Sequence, residues 1–217
     1  ALQNETDDWA CEARRYYFNI CGKYGTQVKN VLKKATSPCP QAICPLHGPM
    51  LRGAALQQAV SLYETWSSYE PESEGVLVVY ASIHGGTKKA AERLADMLRK
   101  KGAKKVVLAD LTRSDMAEVI EDAFRYPALV VAASSYDACV FPVMHDFLYH
   151  LQIKNYQKRR LGIVENGSWA PTAGRVMRAM IEQLKDCEIV EPMVTIRSRM
   201  KEADLPQLDL LAQAMLA

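Results

Sequence analysis

Gly75-Val76-Leu77-Val78-Val79-Tyr80-Ala81-Ser82-Ile83-His84-Gly85-Gly86-Thr87 is the stretch on which the fold turns. Its first part, residues 75–80, is an unbroken apolar run rich in Val and Leu, the signature of a parallel strand covered on both faces. Its second part is a short loop of hydroxyls and glycines. Beyond it, over residues 88–101, Ala90, Ala91, Leu94, Ala95, Met97 and Leu98 recur at helical spacing, with Lys, Arg, Glu and Asp between them. Strand, small-residue loop and helix in that order aim free backbone N–H groups and a helix dipole at one point, which is an anion site. An ordinary strand-to-helix turn also satisfies the glycines alone. Ser82 and Thr87, bracketing Gly85-Gly86, favour phosphate.

The alternation continues downstream. Gly102 caps the helix and 105–109 reads as a second strand. A second helix is expected over 115–126, with Ser114 or Thr112 as N-cap. Residues 128–133 form a purely apolar third strand that delivers Ser134-Ser135-Tyr136-Asp137. A third helix spans 142–151, with Pro142 suited to its first position. Residues 160–164 are a fourth strand leading to Glu165-Asn166-Gly167-Ser168-Trp169, and a fourth helix follows with Pro171 in its first turn. A fifth strand covers 189–196 and a closing helix 205–216. Five such βα units give an open parallel sheet with helices on both faces, an α/β fold that holds ligands at the carboxyl ends of its strands.

Upstream, residues 1–35 read as mostly helix. Asp7 and Asp8 suit the first turn, and Trp9, Ala13, Tyr16, Tyr17 and Ile20 form an apolar and aromatic face. Gly22 and Gly25 break it, and a second piece follows with Val28, Val31 and Leu32 on one face. Ser37-Pro38-Cys39-Pro40 is a loop, 41–44 a short strand and 54–68 a helix. The acidic, aperiodic segment 69–74 marks a boundary, giving a helical unit over 1–70 and an α/β unit over 71–217.

The 217 residues are 49% hydrophobic, enough for a sizeable core in one domain or two. A net charge of +2 with evenly mixed signs argues against a nucleic-acid or membrane-surface role. No apolar run approaches the ~20 residues of a membrane span, and no leader precedes a cleavage site. The expectation is a cytoplasmic protein whose six scattered cysteines are reduced. Cys39 and Cys44, spaced C-x4-C without a second pair, give little support to zinc. The chain opens on Ala1 in mid-pattern, as a fragment of a longer protein would.

Three loops hold residues out of place in plain turns. The loop at 82–87 is neither a Walker A sequence nor G-x-G-x-x-G, so a phosphate monoester fits better than a nucleoside triphosphate or a dinucleotide. The other two set Tyr136 and Trp169 among polar groups, which suggests a flat ring stacked against them.

Ser82-Ile83-His84-Gly85-Gly86-Thr87 resembles the S/T-x-x-G-x-T phosphate loop of flavodoxins. Upstream, Glu12-Ala13-Arg14-Arg15-Tyr16-Tyr17-Phe18-Asn19-Ile20, then Cys44-Pro45-Leu46-His47-Gly48-Pro49-Met50-Leu51-Arg52, then the helix with Tyr63 and Trp66, resemble the end of the metallo-β-lactamase-like domain of flavodiiron proteins. The resemblance covers essentially the whole chain. It implies a five-stranded flavodoxin-like sheet in order 2-1-3-4-5 behind a helical remnant. It also implies FMN, with its phosphate on Ser82, Ile83, His84, Gly85, Gly86 and Thr87. Ser134, Ser135, Tyr136 and Asp137, with Asn166, Gly167, Ser168 and Trp169, would border the isoalloxazine. His47 matches the last ligand of a di-iron site whose other ligands lie upstream of Ala1. The sequence departs from the family at Gly86, where Asn is common, at His84, where Tyr is common, and in the third loop, which has fewer glycines.

On this reading the chain is the electron-transfer part of an oxidoreductase. It takes electrons from rubredoxin or an NAD(P)H-dependent reductase and, in a full-length homodimer paired head to tail, passes them to irons that reduce O2 or NO. Asp137 and Glu165 would lower the potential of the flavin by disfavouring its anionic reduced form. A stand-alone NAD(P)H:quinone or flavin reductase and a flavodoxin-fold scaffold without flavin are the competing readings. The isolated chain is expected to carry no metal centre, since His47 alone cannot hold iron and His145 and His150 stand five apart.

Overall fold

The computed structural model describes residues 8–37 and 39–217. The readings at Asp7 and Pro38 fall outside them. The elements are α1 (Trp9–Tyr16), α2 (Gly25–Thr36), β1 (Ala42–Ile43), β2 (Leu51–Arg52), α3 (Gly53–Ser67), β3 (Val76–Ala81), α4 (Gly86–Lys100), β4 (Val106–Asp110) and α5 (Met116–Arg125). They continue with β5 (Ala128–Tyr136), β6 (Cys139–Val140), α6 (Pro142–Ile153), β7 (Arg160–Asn166), α7 (Ala173–Ile181), β8 (Glu188–Ile189), β9 (Val194–Ile196) and α8 (Leu205–Ala214). No helix among the described residues is long and apolar enough to cross a membrane.

The main sheet runs β4-β3-β5-β7, with both β8 and β9 pairing in parallel with β7. The expected fifth strand is therefore one edge strand in two pieces, and the order is 2-1-3-4-5. Alternation along β3 sends Leu77, Val79 and Ala81 to one face and Val76, Val78 and Tyr80 to the other. All six are buried, each large one contributing roughly 1.5–3 kcal/mol by leaving water. Helices α4 and α8 cover the second face, and α5, α6 and α7 the first.

The helical segment over 8–67 packs on that first face. Tyr17, Phe18, Trp66 and Tyr69 share the apolar cluster of the sheet, and the Phe18 and Phe124 rings stack with centroids 4.1 Å apart. Arg14, 3% exposed, reaches Glu72 through Nε (2.7 Å) and Nη2 (3.0 Å) and Glu121 through Nη1 (3.2 Å). Trp66 Nε1 donates to the same Glu72 carboxylate at 2.8 Å. Lower on the sheet, buried Arg159 donates to the carbonyls of Tyr69 (2.6 Å) and Phe124 (2.5 Å).

Four local expectations need correction. Tyr16 and Ile20 are 44% and 60% exposed while Tyr17 and Phe18 are buried, because a π-helical turn over Tyr17–Cys21 breaks the 3.6-residue spacing. Val31, expected on an apolar face, is 63% exposed. The N-cap of α5 is Asp115, whose carboxylate accepts from the Ala117 N–H at 2.7 Å, and not Ser114 or Thr112. Pro171 precedes α7, whose N-cap is Thr172.

Candidate functional site

The carboxyl ends of β3, β5, β7 and β9 bring the three loops to one end of the sheet. After β3 the chain turns through Gly85 at φ +83°, a left-handed conformation that glycine adopts without strain. Ser82 Oγ accepts from the Gly85 N–H at 3.0 Å and tightens that turn. Helix α4 then starts at Gly86 with no side chain capping it. The N–H groups of Gly86, Thr87 and Lys88 have no acceptor among the described residues. Those donors, at the positive end of a helix dipole, suit a phosphate. Lys88 spends its charge on Glu92 at 3.9 Å along the helix face, and His84 is exposed and unbonded among the described residues.

Thr87, 1% exposed, joins the first loop to the second. Its Oγ1 lies 2.8 Å from Ser134 Oγ at the end of β5. The second loop is a hairpin that the sequence reading missed. Strand β6 pairs antiparallel with the end of β5, Ser135 opposite Val140 and Tyr136 opposite Cys139. Its two-residue turn is Asp137-Ala138, both at positive φ (+46° and +54°), as a type I′ hairpin turn requires. The readable signal was an Asp followed by a small residue between short apolar pieces. The hairpin presents Tyr136 at 45% exposure, with its ring centroid 5.8 Å from that of Phe141.

Other residues expected at the site face inward. Ser135 Oγ accepts from the N–H groups of Thr172 (2.8 Å) and Ala173 (3.1 Å), so it caps α7. Glu165 is buried, accepting from the Gly174 N–H (2.7 Å) and Thr195 Oγ1 (2.8 Å). Its carboxylate ties α7 to the edge strand. Asp137 is exposed and without a side-chain partner among the described residues.

The third loop exposes Trp169, 87% accessible and without a ring contact among the described residues. Its carbonyl accepts from Arg197 Nη1 at 3.3 Å, and Ser168 Oγ meets Ser198 Oγ at 3.3 Å. Asn166 is buried and donates Nδ2–H to the Ser198 carbonyl at 3.0 Å while its Oδ1 accepts the Ser198 N–H at 2.9 Å. The loop after β9 is thus part of the site. The basic run Arg197-Ser198-Arg199-Met200-Lys201 was its only trace in the sequence.

A cleft of about 730 Å³ opens at the opposite end of the sheet between Gly75, Lys101, Pro127 and Arg160, remote from these loops. A second, about 510 Å³, lies against the hairpin and is lined by Tyr136, Asp137, His145 and Tyr149. His47 is exposed with its ring 5.6 Å from that of Tyr16. Among the described residues, no cluster of three or more His, Cys, Asp or Glu side chains is placed to hold a metal.

No family model matches the chain. Among curated proteins, it is 26% identical to the diflavin flavoprotein A 3 of Synechocystis sp., over 89% of this chain and 32% of that protein. It is 24% identical to the rubredoxin-oxygen oxidoreductase of Megalodesulfovibrio gigas, over 93% and 50%. Among solved structures, the rubredoxin oxygen:oxidoreductase from Desulfovibrio gigas superposes with a TM-score of 0.85 at 23% identity, covering 94% of this chain and 51% of that one. The flavodiiron protein from Giardia intestinalis gives 0.85 at 22%, covering 95% and 52%. The chain therefore spans a third to a half of the length of these relatives. The homologues and structural neighbours of this chain include flavodiiron proteins, and it shares its fold with about half the length of each of these two solved structures.

Proposed function

We propose that the chain binds FMN at the carboxyl end of its sheet and serves as the electron-transfer part of an oxidoreductase. The observation that carries this reading is the open N-terminus of α4, where three N–H groups without acceptors among the described residues face the same end of the sheet as two exposed aromatic rings. The fit is chemical as well as spatial. Space is open around Gly85, where a Cβ would meet nothing within 4 Å, so a phosphate has room at the turn. The N–H groups of 86–88 would donate to phosphate oxygens, with Thr87 Oγ1 and Ser134 Oγ beside them. Trp169 and Tyr136 would flank the ring and exclude water from its faces. Bound there, the flavin supplies one- and two-electron transfer, while the protein positions it and sets its surroundings.

The relative named a rubredoxin-oxygen oxidoreductase supports a small rubredoxin-type protein as the electron donor. On this reading residues 1–70 are the tail of a metallo-β-lactamase-like domain, 71–217 are the flavin unit, and His47 would complete a di-iron site only in a longer protein. The test is titration of FMN against the purified chain, followed by quenching of flavin fluorescence. Binding should be saturable and weakened by Ser82→Ala with Thr87→Ala. Unquenched fluorescence at all protein concentrations would remove the flavin reading.

A further inference from the structure

We infer that Asn166 is a positioning residue for the phosphate end of the site, acting through a latch it forms with the loop after β9; this rests on the flavin reading above. Asn166 had been expected to border the ring, yet both ends of its amide are spent on Ser198, one on the carbonyl and one on the N–H. Ser198 adopts φ +62°, an uncommon conformation for a residue with a Cβ, and the paired hydrogen bonds hold it there. The carbonyl so fixed stands over the first residue of α4. A Cβ on Gly86 would lie 2.3 Å from the Ser198 oxygen and 3.0 Å from Asn166 Nδ2.

This contact gives a physical reason for glycine at 86. Any side chain there would push the latch off α4, so Gly86, Asn166 and Ser198 form one interlocked unit across three loops. The unit fixes the first helical N–H groups against the third loop. Arg197 reaches from the same segment to the Trp169 carbonyl, so one short run of chain sets the separation between the phosphate donors and the exposed tryptophan. Arg199 and Lys201 continue the run, are exposed, and add positive charge at the anion end.

The latch separates from direct ring contact in a comparison of FMN with riboflavin, which lacks the phosphate. In Asn166→Ala and, independently, Gly86→Ala, FMN affinity should fall about tenfold or more, the scale of one charge-assisted hydrogen bond. Riboflavin affinity should change little. Tryptic cleavage after Arg197, Arg199 and Lys201 should be faster in both variants, since the segment is no longer pinned. Equal losses for FMN and riboflavin would assign Asn166 to the ring and overturn the latch. FMN affinity retained by both variants would overturn it as well. Absence of FMN binding by the unsubstituted chain would overturn the flavin reading itself, and the latch's role in it.

Discussion

The hydroxyls of Thr87 and Ser134 stand 2.8 Å apart, one at the start of α4 and the other at the end of β5, with Thr87 almost wholly buried. This bond fixes the loop after β3 relative to the central strand. Thr87→Val keeps the shape and removes the hydroxyl. It should cost about 1 kcal/mol of stability and weaken FMN binding roughly tenfold, read by thermal melting and by fluorescence titration. Unchanged flavin affinity would mean that the hydroxyl serves the scaffold alone.

Ala138 turns the β5–β6 hairpin at φ +54°, where a Cβ costs roughly 1–2 kcal/mol. Glycine removes that strain but loses more backbone entropy on folding, about 0.5–1 kcal/mol. Ala138→Gly should therefore raise stability by about 0.5 kcal/mol, measured by urea unfolding. A destabilised variant would show that the turn is not strained.

Trp169 is the most exposed aromatic ring among the described residues, so its loss should leave stability within about 0.5 kcal/mol of the parent. The same Trp169→Ala change should cut affinity for both FMN and riboflavin by roughly tenfold, the scale of an aromatic stacking contact. A loss confined to FMN would move Trp169 away from the ring.

The junction between the helical segment and the sheet should titrate. Burial pushes the Glu121 carboxyl up to about 7, against the pull of Arg14, while pairing with Glu72 holds Arg14 above its usual range despite burial. The folded chain keeps the Glu121 proton to about pH 7, whereas the unfolded chain releases it near 4.5. Stability should therefore fall as pH rises across that window, by up to about 3 kcal/mol at pH 8. Glu121→Gln leaves the Arg14–Glu72 pair intact and should flatten the profile and stabilise the chain at pH 8. Melting curves between pH 5 and 8.5 check this, and parallel profiles for the two proteins would refute it.

By itself the sequence determined the five βα units and the hydroxyl–glycine loop at 82–87, though not the β6 hairpin, because apolar runs, helical periodicity and such a loop are local patterns. It also placed Tyr136 and Trp169 at loop tips, where both are exposed. Tertiary structure decided which polar groups face the site. Ser135 and Asn166 looked like ligands in the chain and Glu165 like a charge beside the ring, yet each satisfies backbone groups of another element: Thr172 with Ala173, Ser198, and Gly174. A buried polar atom must find a partner, and which partner depends on packing that no local pattern encodes. The same holds for Arg14, placed by sequence on an ordinary helix and by the fold at the centre of a buried ion cluster. It holds too for Gly86, whose missing side chain is explained only by the Ser198 carbonyl standing over it.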